Sequence, residues 1–382
     1  MTAYFDPETC DLAAFKRLTQ QSLQEDDVPF AAAIEKNVPI YGVAALGDHL
    51  IDPTLRRSLM AEWAKGLRDG SGIIVLKGAY ADTAPIDAAT AIYNDVIAAE
   101  KRANGGGADH FAAAGNNDRV WNSLQKLCMN DPAVFARYFG NVAIDAVCEA
   151  WLGPNYQMTA QVNLVRPGGG AQLAHRDYHL GFQTAETSAQ YPAHVHDLSP
   201  VLTLQGAVAH SDMPVESGPT KLLPFSQAYR AGYAAWRRDD FRAYFEESYI
   251  QLPLSKGDAL FFSPALFHGA GANTSKDVQR MANLLQVSYA FGRAMESIDR
   301  RAICKALYPV IAGAGLNPAQ QRAAIAASAE GYSFPTNLDL DPPVGGLAPQ
   351  TQAALFHAAL DAGWSTQAFG EALDAQAACQ RA

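Results

Sequence analysis

Gly168-Gly169-Gly170-Ala171-Gln172-Leu173-Ala174-His175-Arg176-Asp177 marks the point where the character of the chain changes. Just before it, 157–166 reads as a strand that stops at Pro167. Residues i and i+2 of a strand point to one face, so an imidazole at 175 and a carboxylate at 177 can converge. Downstream, short apolar runs at 201–210, 220–224, 249–254, 258–262 and 280–291 are separated by Gly218-Pro219, Lys256-Gly257-Asp258 and Gly269-Ala270-Gly271. Many short strands with Gly/Pro turns predict a sandwich or barrel.

Outside this β core the sequence reads as helix. Residues 10–68 mix apolar and charged positions at helical spacing, with breaks at Pro29, Pro39 and Pro53. One buried strand is expected near 72–78, where Ile73-Ile74-Val75-Leu76 lies between glycines. Helices are expected at 86–100 and 119–152, with a glycine-rich loop at 104–108 between them. After 294 the chain is alanine-rich, and Asn317-Pro318 and Ala348-Pro349 read as helix starts. The expected organisation is one domain, 1–382: a mostly helical part (1–154), a β core (155–293) and a helical extension (294–382). In class this is a mainly β core with flanking helices, α+β.

Composition narrows the function classes. An apolar fraction of 49% and a charged fraction of 18% describe a folded chain with a large core. A net charge of −10 argues against nucleic acid or an anionic membrane as partner. No stretch reaches the about 18 uninterrupted apolar residues of a membrane span. Met1-Thr2-Ala3-Tyr4-Phe5-Asp6-Pro7 has neither a basic start nor an apolar run, so no signal peptide is expected. The five cysteines are scattered and form no CxxC pair, which argues against disulfide staples and thiolate zinc sites. A cytoplasmic protein is expected.

His-x-Asp by itself is a weak signal; about half an occurrence is expected by chance in such a chain. There are two, His175-Arg176-Asp177 and His210-Ser211-Asp212, and the i, i+2 argument serves both. His268 follows an apolar strand and precedes glycines, as a residue at a barrel rim would. His175 with His179 would need a helix that the glycine-rich lead-in opposes, and His194-Val195-His196 lies between Pro192 and Pro200, in an expected surface loop. Two imidazoles and one carboxylate can occupy one face of Fe(II) and leave three positions for a chelating cosubstrate and O₂. Arg280, a short way past His268, would clamp a carboxylate with its planar fork.

In order, Gly72-Ile73-Ile74-Val75-Leu76-Lys77-Gly78, Arg166-Pro167-Gly168, His175-Arg176-Asp177, Glu216-Ser217-Gly218-Pro219-Thr220, Lys256-Gly257-Asp258, His268-Gly269-Ala270-Gly271-Ala272-Asn273-Thr274-Ser275 and Arg280 resemble the phytanoyl-CoA dioxygenase family of Fe(II)- and 2-oxoglutarate-dependent oxygenases. The likeness spans about 72–293. It implies a double-stranded β-helix, the jelly-roll barrel of cupins, wrapped by helices from both ends. It implies His175, Asp177 and His268 as metal ligands, and thereby prefers 175/177 to 210/212. It implies Arg280 as the 2-oxoglutarate clamp, ahead of Arg293, Arg300 and Arg301. Gln161 and Asn163, on one face of the preceding strand, are carried as polar cosubstrate contacts. The family's frequent Pro-Gly-Ser-His is replaced by Pro224-Phe225-Ser226-Gln227, and Ala270 stands where a hydroxyl is frequent. Aspartate at 177, rather than a small residue that admits halide, favours hydroxylation.

The activity so implied is oxidation of a small organic metabolite, with release of succinate and CO₂. The cofactors are Fe(II), 2-oxoglutarate and O₂, and segments 102–119 and 178–200 are candidate lids. Two other classes stay open on the residues alone: a zinc- or other metal-dependent enzyme using the same triad, and a metal-free small-molecule binding module.

Overall fold

The computed structural model describes residues 3–104 and 117–381. Its strands are β1 (Ala33–Glu35), β2 (Val38–Gly42), β3 (Ile73–Lys77), β4 (Asn117–Val120), β5 (Gln157–Val165), β6 (Thr203–Ala209), β7 (Lys221–Leu222), β8 (Ala259–Phe262), β9 (His268–Gly269) and β10 (Arg280–Ser288). Eight of them form one sheet in the order β1-β2-β3-β8-β6-β10-β5-β4. Every pairing in it is antiparallel except β2 with β3. β5 and β10 run the full length of one another, from Val165↔Arg280 to Gln157↔Ser288.

β7 and β9 make a second, small layer. Single bridges at His175↔His268 and Leu222↔Ile250 widen it on either side. From β5 onward the chain therefore alternates between layers: large sheet, His175, large sheet, β7, Ile250, β8, β9, β10. That winding is the jelly-roll path, although among the described residues the two layers do not join into a closed barrel. Leu222, Leu252 and Leu254 from the small layer pack with Ile73, Val75, Leu260 and Phe262 from the large one.

Two-residue periodicity decides which side each residue serves. On β5, Met158, Ala160, Val162 and Leu164 join the main core beneath the helices. The intervening Gln161 and Asn163 point the other way, into the space between the layers. Helices Pro53–Arg68, Ser123–Asn130, Pro132–Phe139 and Val142–Leu152 contribute to that core, as do Arg300–Ile311, Pro318–Ser328, Gln352–Asp361 and Thr366–Cys379. The Lys256-Gly257-Asp258 turn ties β3 to β8. Its Asp258 carboxylate accepts hydrogen bonds from Gly78 N (2.8 Å), Ser255 N (2.7 Å) and Lys77 Nζ (2.8 Å).

Several elements differ from the sequence expectation. Residues 10–68 contain the β1–β2 hairpin, closed by Lys36 and Asn37, both at positive φ. That conformation suits a two-residue hairpin turn, but its usual glycine is missing, so the signal is weak. β4 takes up the start of the expected helix 119–152; its Asn-Asp-Arg sequence has low strand propensity and is extended because the edge of β5 pairs with it. Residues around His194 and His196 form the helix Ala193–Val201 rather than a loop, with Pro192 as the residue capping its start. The helix expected from Pro349 begins at Gln352, where the Thr351 hydroxyl caps Ala354 N (3.1 Å). Asn317-Pro318 does open a helix, with a reciprocal cap from Gln320. Of the expected lid 102–119, residues 105–116 lie outside the described residues. Among the described residues no helix is long and apolar enough to cross a membrane.

Candidate metal centre

His175 and His268 meet because their strands pair. His175 N donates to His268 O (2.9 Å), His268 N returns a bond to His175 O (3.2 Å), and the ring centroids lie 4.4 Å apart. Each Nδ1 lies against the carbonyl two residues earlier: Leu173 O at 2.8 Å for His175 and Leu266 O at 2.9 Å for His268. A carbonyl only accepts, so both Nδ1 atoms must carry the proton and both Nε2 lone pairs face outward. Asp177 Oδ1 lies 3.6 Å from His175 Nε2, and Oδ2 lies 3.4 Å from His268 Nε2. One donor atom from each of the three falls within 4.8 Å of the others, the only such group of His, Cys, Asp or Glu among the described residues.

The electrostatics suit a cation. Burial alone would raise the Asp177 carboxyl, but the His175 and His268 imidazoles and a hydrogen bond from Gln205 hold it well below the usual carboxylate range. Burial, then the neighbouring His268, lowers His175. A neutral imidazole beside an ionised carboxylate is the protonation state in which both groups are ligands. Gln205, at the centre of β6, donates Nε2 to Asp177 Oδ2 and fixes that carboxylate. Sequence reading placed β6 but did not single Gln205 out. Its signal was a long polar side chain in the middle of a mostly apolar, buried strand.

Arg280 begins β10 and is buried, which lowers its guanidinium to about 10. Its Nη1 donates to Ser217 O (3.1 Å) and Gly271 O (3.3 Å), and among the described residues no carboxylate pairs with it. Gly218 makes this seat possible: at φ 74° a Cβ there would sit 2.3 Å from Ala272 O. The Glu216-Ser217-Gly218-Pro219 motif thus presses its backbone onto the Gly271 loop beneath Arg280.

His175, Asp177, His268, Arg280, Gln161 and Asn163 all line one cavity of about 600 Å³. Gln161 Oε1 accepts from Arg119 Nη1 (3.1 Å), and Asn163 Oδ1 is buried with no hydrogen-bond partner among the described residues. The competing histidines are engaged elsewhere. His210 is gripped by Thr90 Oγ1 at Nδ1 and Tyr138 OH at Nε2, both at 2.8 Å, and burial holds it down at about 3. Asp212 accepts from Lys256 N (2.9 Å). His179 contacts Ser199 Oγ (3.0 Å) and His196 contacts Ser188 O (3.0 Å). Arg300 donates to the carbonyls of Ala327, Ser328 and Met158, and Arg301 pairs with Asp374.

A family model for phytanoyl-CoA dioxygenase matches residues 56–282. The chain belongs to that family, one of iron- and 2-oxoglutarate-dependent dioxygenases. Among curated relatives, it is 28% identical to the dioxygenase andF of Emericella variicolor over 35% of this chain and 43% of that one. It is also 28% identical to the dioxygenase aneA of Aspergillus aculeatus, over 52% of this chain and 62% of that one. The chain thus spans about half the length of these relatives. Two solved structures are similar at 20% identity: the carbocyclase SnoK of nogalamycin biosynthesis (TM-score 0.41, covering 58% of this chain and 80% of that one) and the epimerase SnoN (TM-score 0.42, covering 63% and 82%).

Proposed function

We propose that the protein is a non-heme Fe(II)- and 2-oxoglutarate-dependent dioxygenase that hydroxylates a small organic metabolite, releasing succinate and CO₂. One observation carries this reading: three convergent ligand atoms share a cavity with a buried arginine that no carboxylate among the described residues neutralises. A cytoplasmic location fits the five free thiols, four of them buried.

The donor set fits the ion. Two imidazole nitrogens and one carboxylate on one side of a metal are the ligands of this iron class, and they leave room for a chelating cosubstrate. His175, Asp177 and His268 would hold the iron, which together with 2-oxoglutarate and O₂ supplies the oxidising power for breaking a C–H bond. Arg280 would bind the cosubstrate's far carboxylate, and its seat on Ser217 O and Gly271 O aims it without neutralising it. Gln161 and Asn163 are the polar side chains offered to the cosubstrate from β5. Leu254, Leu260 and Phe262 give the same space apolar walls, which lower the local dielectric and strengthen each polar contact.

The deciding experiment is an anaerobic optical titration with Fe(II) and then 2-oxoglutarate. A visible charge-transfer band that needs both additions is expected. In Arg280→Ala the 2-oxoglutarate concentration for half-formation should rise on the order of 100-fold, the effect of removing one partner of a buried charged contact. Folded protein that gives no band in the wild type would end the proposal. Gln205→Leu, which removes the bond to Asp177, is expected to weaken Fe(II) binding about 10- to 100-fold in the same titration. Unchanged affinity would show that Gln205 does not orient the ligand.

A further inference from the structure

Besides Arg280, the cavity carries an arginine on a different element, with no role in the reading above. Arg242 lines it from the helix Asp239–Ser248, beside Trp236. Its guanidinium carbon lies 5.4 Å from the centre of the Trp236 ring, and that of Arg237 lies 3.9 Å from the same ring. Two like charges thus flank one indole. Burial, and next the charge of Arg242, lowers Arg237.

No carboxylate among the described residues pairs with Arg242. The carboxylates on its own helix are committed or out of reach: Asp240 pairs with Arg238 (2.6 Å) and Glu246 with Lys221 (2.6 Å). Neither Asp239 nor Glu247 pairs with Arg242 among the described residues. Arg242 Nε and Trp236 Nε1 are both buried without a hydrogen-bond partner. Buried polar groups are ordinarily satisfied, and these two orphans belong to neighbouring residues that both line the cavity. Arg237, by contrast, spends its Nη2 on Gly181 O (3.1 Å) and on Gln183 O. In a chain of net charge −10, an unpaired guanidinium at a cavity wall stands out.

The surroundings define the rest of the ligand. Leu173 and Phe182 line the same cavity yet are 64% and 61% exposed, so the mouth is apolar and open to solvent. A flat or ring-bearing body would bury these two side chains and stack on Trp236. We propose that Arg242 and Trp236 form the substrate-recognition end of this cavity and select an apolar organic acid: its carboxylate on Arg242, its hydrocarbon body against Trp236, Phe182 and Leu173. This builds on the oxygenase reading, since it assigns the substrate class of that site. It also gives two of the cavity's arginines separate roles, Arg280 for the cosubstrate and Arg242 for the substrate, while Arg119 is held at Gln161 and Arg176 at Ser226 O and Tyr229 O.

The test uses two probes of one shape, naphthalene-2-carboxylate and the neutral naphthalene-2-carboxamide, titrated calorimetrically into the full-length protein. Each is measured without additions and again under anaerobiosis with Fe(II) and 2-oxoglutarate. The carboxylate should bind at least about tenfold more tightly than the amide in both conditions, the yield of one charge-assisted hydrogen bond. Arg242→Met, which keeps an apolar stem on a half-exposed helix, should erase that preference and leave amide binding unchanged. Three results would overturn the assignment: no saturable binding, equal affinity of the two probes, or a preference that survives Arg242→Met. Displacement of the carboxylate by 2-oxoglutarate would place it at Arg280 and overturn it as well. An Arg242-dependent preference in a protein lacking the charge-transfer band would retain the acid site and reject only the oxygenase reading.

Discussion

Asp177→Ala is expected to abolish the charge-transfer band at iron concentrations that saturate the wild type, and turnover with it. Asp177 is the one anionic donor of the triad, and it reaches toward both imidazoles at once, 3.6 Å from His175 Nε2 and 3.4 Å from His268 Nε2. Its loss also strands the Gln205 amide, which donates to that carboxylate. Altering a residue that merely orients a ligand costs about 10- to 100-fold in metal affinity, so removing the ligand should cost more than about 100-fold. The fold should persist, because the backbone ties of this residue remain: Asp177 N to Pro264 O (3.1 Å) and Tyr233 OH to Asp177 O (3.3 Å). Far-ultraviolet circular dichroism checks that point. A folded variant that forms the band at wild-type iron concentration would remove Asp177 from the ligand set.

The second large effect falls on stability. Arg176, between His175 and Asp177 in sequence, turns its guanidinium away from the proposed metal centre and is 2% exposed. Its Nη2 donates to Ser226 O (2.6 Å) and Tyr229 O (3.0 Å), and its guanidinium lies over the rings of Tyr233 (5.1 Å) and Phe267 (5.2 Å). No carboxylate among the described residues pairs with it, and burial lowers it to about 10. The site is shaped around it, since a Cβ on Gly232 would sit 1.9 Å from the guanidinium carbon. Arg176→Ala should therefore cost about 3–5 kcal/mol, from an unfilled cavity and two stranded carbonyls. The urea midpoint measures this. Arg176→Met keeps most of the volume and should lose less; an unchanged midpoint in Arg176→Ala would refute the anchoring role. Iron affinity should fall in parallel, because His175 and Asp177 flank the anchor.

The centre of the large sheet was legible from sequence because its strands are bounded by turn residues, whereas its outer strands β1, β2 and β4 were not. The runs at 157–166, 201–210 and 258–262 correspond to Gln157–Val165, Thr203–Ala209 and Ala259–Phe262. The small layer was less legible. The runs at 220–224 and 249–254 shrink to Lys221–Leu222 and to isolated bridges at Ile250 and Leu254, because pairing there is brief and depends on segments distant in the chain. Spacing could not separate the two His-x-Asp pairs. Burial and partners do so, since Thr90 and Tyr138, from separate helices, occupy both nitrogens of His210. Gln205 and Arg242 were invisible for a related reason. Neither belongs to a motif, and what singles each out is the company that the fold supplies.

The reciprocal backbone bridge between His175 and His268 bears on how cofactor loading and folding are linked. The two imidazoles come from distant parts of the chain and are already side by side, with their tautomers set by local carbonyls. Little ordering entropy is left for a metal to overcome, so its binding energy passes almost undiluted into the native state. Any ion bound there acts as a cross-link that the unfolded chain cannot offer, and it stabilises the fold by mass action with its free concentration. With iron as the proposed ion, its supply would set the lifetime of the protein as well as its catalytic competence. Starvation for the metal would lower both through a single equilibrium.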